Sequence, residues 1–246
     1  MTQLIVELGL NHLGSEERAW RMLECVGASG VDALTFQIRE PKFYEAAEPN
    51  RDRLPEKFYR AAIEATHARG QSFGFAIADE SAVAPLDALG VDFWKMLSWD
   101  FMNQSLLRTL QATGKRVMMS TGLSSHDEII AGSARNEDVE LIHTQLSQKI
   151  EDVNLKVISE IRRQTGKAVA FGLHCSNHDV LKLALAYEPS GVLFYLKEEG
   201  CTGLFDDEHA ISMSELSAFV RNLKSLQSAI GTGKKIGAEK PPWFAH

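Results

Sequence analysis

Phe93-Trp-Lys-Met-Leu97 is followed by a helical stretch near Gln104–Thr113 and then by Val117-Met-Met-Ser-Thr121. An apolar run, a helix and a second apolar run make a crossover unit, which joins neighbouring parallel strands. Outward from this unit the pattern repeats. Leu4–Glu7, Ala33–Gln37 and Phe73–Ala78 come before it, and Glu140–Thr144, Ala168–Leu173 and Val192–Lys197 come after. Nearly every run is trailed by a helical pattern, and most end on a polar or charged residue. Eight such runs in 246 residues predict an α/β chain folded as a (β/α)8 TIM barrel. The barrel is expected over residues 1–230, with 231–246 as a C-terminal tail. Such a barrel carries its chemistry at the C-terminal ends of its strands, so the polar residues closing the runs become the candidate site.

Composition agrees. A chain that is 44% hydrophobic can bury one large core. The net charge of −7 argues against a general nucleic-acid or anionic-membrane binder. The apolar runs are too short to span a bilayer, and the first residues enter a strand without a signal-peptide pattern. Cys25, Cys175 and Cys201 are widely spaced and form no C-x-x-C pair, so they read as reduced thiols of a cytoplasmic protein. Cys25 falls on an apolar helix face with Trp20, Leu23 and Val26.

Ser15 is the expected cap of a helix reaching about Ala28, and Arg18 at its third position precludes a capping box. Pro55 is expected in the first turn of the next helix, which ends at Gly70. Further helices are expected near Ser81–Leu89, Ser125–Ser133, Asp152–Gln164, Asn177–Tyr187 and Met213–Ala229, with Asp152 supplying an acidic first turn. The Gly231-Thr-Gly-Lys-Lys stretch lacks phosphate-loop spacing. The closing Pro241-Pro-Trp-Phe-Ala-His is expected to be an extended arm.

The strand ends deliver Glu7 with Asn11 and His12, then Gln37 and Arg39, Asp79, Lys95 with Ser98 and Asp100, and Ser120-Thr-Gly122. They continue with His143, then His174 with His178, and Lys197 with Glu198 before a long loop to His209. Lys, Ser, Thr and Asn converging on one mouth make an anion site suited to phosphate. Asp100 and Glu7 are the candidates for proton transfer.

These residues resemble a family. Ile5-Val-Glu-Leu-Gly-Leu-Asn-His-Leu-Gly14 is similar to the A-E-I-G-x-N-H-x-G opening of the sialic acid synthases, and Phe36-Gln37 to their K-F-Q. Lys95-Met-Leu-Ser-Trp-Asp-Phe-Met-Asn103 resembles K-I-x-S-G-E-I-T-N, and Met119-Ser-Thr-Gly-Leu123 resembles S-T-G-M. Leu141-Ile-His143 with Glu151-Asp-Val-Asn-Leu155 resembles L-L-H-C followed by E-D-x-N-L, and Glu208-His-Ala-Ile-Ser212 resembles D-H-x-x-S. The resemblance implies a transferase of carbohydrate biosynthesis that condenses phosphoenolpyruvate with a sugar aldehyde. Phosphate is released and a 3-deoxy-ulosonic, sialic acid-like acid is formed. It implies that Lys95, Ser98, Ser120 and Asn154 hold phosphoenolpyruvate, that Gln37 and His209 with Glu7 face the sugar, and that Asp100 stands for a catalytic Glu. The partners implied are phosphoenolpyruvate and the aldehyde, with a homodimer left open, and no nucleic acid or membrane.

The departures carry information. Thr35 replaces the Lys of K-F-Q, leaving Lys95 as the main cation of the pocket. Trp99 replaces a Gly, and Asp100, one methylene short, sets its carboxylate about 1.5 Å further back. The eighth-strand E-K-H-F becomes Phe194-Tyr-Leu-Lys197, with Leu196 or Glu198 expected at the position of the lost His. The divalent metal site (Mn2+ or Mg2+) that the family implies is therefore degraded, and His174 is its remaining candidate ligand. The chain ends where the family continues into an antifreeze-like domain. Two classes of function follow. One is a phosphoenolpyruvate-condensing synthase. The other is a divergent barrel, either a ulosonate lyase or aldolase or a non-catalytic partner of a complete synthase.

Overall fold

In the computed structural model, which describes residues 1–46, 52–134, 136, 138–235, 237, 239 and 244, eight parallel strands close into a ring. They are β1 (Gln3–Gly9), β2 (Ala33–Ile38), β3 (Ser72–Ile77), β4 (Phe93–Met96), β5 (Arg116–Ser120), β6 (Glu140–Thr144), β7 (Val169–Gly172) and β8 (Gly191–Lys197). Each pairs with the next, and β1 pairs with β8 to complete the barrel. Every run read from the sequence falls on its strand. A two-residue strand, β9 (Ile211–Ser212), adds to the end of β8 and was not foreseen.

Two-residue alternation divides the strands between two cores. Ile5, Ala33, Phe93, Met118, Ile142, Ala170 and Leu193 form one apolar cluster inside the barrel. The residues between them, such as Leu4, Leu34, Trp94 and Val192, pack under the helices in the other. Gly74 explains how Phe93 fits on the axis: a Cβ there would lie 2.5 Å from the Phe93 ring. The missing side chain is the notch that the ring fills.

The helices are α1 (Glu16–Ser29), α2 (Pro41–Glu45), α3 (Glu56–His67), α4 (Val83–Asp87), α5 (Gln104–Ala112), α6 (His126–Ala134), α7 (Lys156–Thr165), α8 (Asp179–Ala184) and α9 (Met213–Ile230). Ser15 caps α1 as expected, accepting the Arg18 amide at 3.2 Å. Phe58, Tyr59, Ala62, Ile63 and Thr66 give α3 its buried stripe at helical spacing. Pro55 is the N-cap of α3 rather than a residue of its first turn. The expected helix from Asp152 begins later. Asp152 closes a short 3-10 turn, Asn154 takes a left-handed φ of 43° that no helix continues through, and α7 starts at Lys156. The stretch near Ser81–Leu89 likewise divides into a 3-10 turn and the short α4. Most of the Pro241–His246 arm lies outside the described residues. Among the described residues no helix is long and apolar enough to cross a membrane.

Candidate active site

A cavity of about 190 Å³ opens at the C-terminal mouth, and its wall includes Gln37, Lys95, Ser98, Ser120 and His174. These expected residues come together because each stands at or just beyond the end of an inward-facing strand position. Lys95 and Glu7 form an ion pair, 4% and 3% exposed respectively, so both charges are removed from water. Burial of that kind is sustained only by pairing. Register places Thr35 directly beside Glu7. The position where the resemblance has a second lysine thus carries a neutral hydroxyl, and Lys95 is the cation paired with Glu7.

Tyr195 completes the inner set. It faces inward two residues after Leu193 and hydrogen-bonds Glu7. Burial, with the charges of Glu7 and Asp206, pushes its phenol far above the usual range, so it stays a protonated donor. Tyr195, not Leu196 or Glu198, is therefore the β8 residue that meets the cavity. Ser98 accepts the Gly122 amide at 3.2 Å, and a Cβ on Gly122 would lie 2.8 Å from the Ser98 hydroxyl oxygen. Only glycine lets that backbone approach so closely.

His174 shares a 2.8 Å hydrogen bond between Nδ1 and Thr144 Oγ1. Burial first, then the charges of His209 and Lys95, push it down to about 3, so it is a neutral imidazole. His209 packs 4.9 Å from the rings of both His174 and Tyr195. It is buried, and neither of its ring nitrogens has a hydrogen-bond partner. Asp206 Oδ1 stands 3.6 Å from its Nε2. Among the described residues no group of three or more His, Cys, Asp or Glu is placed to hold a metal ion. His174 has one imidazole beside it and a hydroxyl on its Nδ1, and these donors do not fit a resident divalent metal.

Arg39 joins Lys95 on the cavity wall from the end of β2, and two expected residues lie apart from it. The Arg39 guanidinium is bidentate on Glu40 and lies between Phe43 and Trp99, 4.5 and 4.8 Å from their rings. Asp100 does not line the cavity. It follows Ser98 and Trp99 through a 3-10 turn, which carries it into an adjoining depression of about 310 Å³ with Arg39, Glu40 and Trp99. One of its oxygens accepts Asn103 Nδ2 at 3.2 Å, while the other is buried without a partner. Burial raises its carboxyl above the ordinary range. Asn154 is exposed and is not part of the cavity wall. Its loop is pinned from below, where buried His143 bonds the Val153 carbonyl at 2.8 Å.

Tyr195, Asp206 and Phe205 were not singled out from sequence, although all three line the mouth. The signal for Tyr195 was its two-residue offset from Leu193. The other two come from the β8–β9 loop, which is held over the mouth by long-range bonds. Asn11 Nδ2 donates to the Leu196 carbonyl at 2.9 Å, and the Asp206 amide donates to Asn11 Oδ1 at 3.1 Å. Arg18 and Arg21 both hold Glu198 at the start of that loop.

Residues 29–235 match the family model described as NeuB family. The chain is 24% identical to the human N-acetylneuraminate-9-phosphate synthase over 94% of its own length and 72% of the relative's. It is 22% identical to N,N'-diacetyllegionaminic acid synthase of Campylobacter jejuni, over 95% of the chain and 79% of that protein. The fold matches that of N-acetylneuraminic acid synthetase from Leptospira borgpetersenii with a TM-score of 0.86 at 21% identity, covering 96% of this chain and 87% of the other.

Proposed function

The chain belongs to the NeuB family, and from that premise we propose that it condenses phosphoenolpyruvate with the aldehyde of an open-chain sugar. C3 of phosphoenolpyruvate bonds to the aldehyde carbon, water adds at C2, and the C2–O bond to phosphate breaks. The products are a 3-deoxy-ulosonic acid and inorganic phosphate. The observation that carries this reading is the buried Lys95–Glu7 pair, with Lys95 on the wall of a cavity that Ser98, Ser120 and Tyr195 also line with hydroxyls.

Lys95, Ser98 and Ser120 present an ammonium and two hydroxyls to the phosphate, and Arg39 supplies a second cation at the rim. Such donors are worth most where water is excluded. Glu7 is the buried carboxylate in contact with Lys95 and Tyr195, and moves the proton that Asp100 is set too far aside to take. His174, neutral and oriented by Thr144, polarises the aldehyde oxygen with its remaining ring nitrogen. No step is routed through a divalent metal, because the donors present do not build a site for one.

The test is calorimetry with phosphoenolpyruvate, followed by phosphate release across a panel of aldoses with and without Mn2+ or Mg2+. Lys95→Ala is expected to abolish both binding and release. Because that change strands Glu7, Lys95→Met combined with Glu7→Gln serves as the folded control and is expected to lose binding equally. Phosphoenolpyruvate binding by Lys95→Ala at the parent's affinity defeats the reading. Binding without phosphate release for any aldose moves the chain to the non-catalytic class.

A further inference from the structure

The loop between β8 and β9 is anchored firmly at both ends and lightly at its tip. At its start Arg18 and Arg21 hold Glu198 at 3.0 and 2.6 Å, and Glu199 accepts the Ser214 amide at 2.7 Å. At its end the His209 carbonyl meets His178 Nε2 at 3.1 Å, and Ile211 pairs with Leu196 of β8. The tip is tied down by contacts of a weaker kind. Phe205 packs 5.7 Å from the Phe43 ring, the Asp206 amide donates to Asn11 Oδ1 at 3.1 Å, and Lys197 pairs with Asp207 at 2.7 Å. That ion pair faces water and contributes little. Phe205 is itself 41% exposed. Just inside the fixed start, Gly200 and Gly203 take left-handed φ angles of 74° and 72°. A Cβ on Gly200 would meet nothing within 4 Å. The loop thus has two permissive pivots, one of them in open space, and a tip whose contacts can be broken without disturbing the anchors.

The tip matters for what it bounds. Phe205 and Asp206 form part of the cavity wall. The Asp206 carboxylate comes within 3.0 Å of where a Cβ on Gly9 would stand, so the tip reaches across the mouth to the end of β1. The cavity under it is about 190 Å³. Sites that enclose one small molecule generally occupy about 300–1,000 Å³, and a condensation brings two molecules together. With the tip down, the space suits one small anion and not both reactants. We propose that the β8–β9 loop is a hinged cover that turns on Gly200 and Gly203 and must lift before the second reactant joins the first. Its latch is Phe205 on Phe43 and the Asp206 amide on Asn11. Asn11 gives the latch a fixed side, because its Nδ2 is held by the Leu196 carbonyl at 2.9 Å. The inference rests on the condensation reading for its second reactant and adds how access to that site is regulated.

Amide hydrogen exchange read by NMR tests the cover without turnover. The Asp206 amide is expected to exchange by local opening, well ahead of strand amides such as that of Val117. Phe205→Ala is expected to speed exchange at Asp206 about threefold to tenfold and to leave the Val117 amide unchanged, which a general loss of stability would not do. A second variant fixes the tip. Phe43→Cys with Phe205→Cys is joined by a short bis-methanethiosulfonate, a link that a reductant cuts, and the bridge is located by peptide mass. The bridged protein is expected to bind phosphoenolpyruvate in calorimetry and to release no phosphate with any aldose that the parent uses, with release restored on reduction. Phosphate release by the bridged protein at the parent's rate overturns the cover. An Asp206 amide that exchanges at the pace of the Val117 amide, in parent and Phe205→Ala alike, overturns it too. A parent that releases no phosphate with any aldose defeats the condensation reading, while local exchange at Asp206 that quickens in Phe205→Ala still sustains the cover.

Discussion

At the lower end of the barrel Ile5, Phe93, Met118 and Leu193 fill the axis. Two residues further along the same four strands stand Glu7, Lys95, Ser120 and Tyr195. Strand geometry is common to both layers, so the difference lies wholly in side-chain chemistry. The lower layer excludes water and holds the ring together through apolar contact. The upper layer spends part of that stability on two buried charges, paired with each other, and on neutral polar groups. A sheet tolerates this because the floor beneath it is complete.

The contrast is broken most strongly from below. Phe93→Ala empties the notch opposite Gly74 and is expected to cost about 3–5 kcal/mol in urea unfolding, while the folded fraction keeps its phosphoenolpyruvate affinity. Gly74→Ala presses the same contact from the other side and is expected to cost about 1–3 kcal/mol.

A second expectation concerns pH. Buried His12 accepts the Gly14 amide on Nδ1 at 3.0 Å, and burial, with the charge of Arg18 second, pushes it down to about 4. Its ordinary value is 6.5. Between those two values the unfolded chain binds the proton and the native chain does not, so stability rises with pH across that window and is lost as pH falls through it. The loss is about 3 kcal/mol at most. His12→Asn is expected to flatten that part of the stability–pH curve, and an unchanged slope refutes the assignment.

At the upper layer, replacing both members of the ion pair is expected to separate stability from function. Lys95→Met with Glu7→Gln is expected to stabilise the fold by about 1–2 kcal/mol while abolishing phosphoenolpyruvate binding. Glu7→Ala alone is expected to destabilise it. Asn103→Ala gives the smallest effect. It removes the cap that accepts the Leu106 amide at 3.2 Å and is expected to cost about 1 kcal/mol, with Asn103→Ser restoring most of it.

The floor was legible in the sequence because every strand announces it with an apolar run. The site was legible where a polar residue interrupts such a run at an inward position, as Glu7, Gln37, Lys95 and Ser120 do. Tyr195 was hidden because it reads as one more strand-forming aromatic. Asp100 and Asn154 were misplaced for a different reason. Both lie past the strand, in turns whose course depends on a 3-10 segment and a left-handed residue, and a motif's spacing does not report either. Arg39 was visible at a strand end, but its place on the wall depends on Glu40, Phe43 and Trp99, which meet only in three dimensions.

Phe93 seated in the space above Gly74 has one further consequence. It closes the ring from below, so the space above Lys95 is a well that opens at the mouth. On the condensation proposed above, phosphoenolpyruvate against Lys95 is expected to enter before the sugar aldehyde. The plug at the bottom of the barrel would then set the order of arrivals at the top.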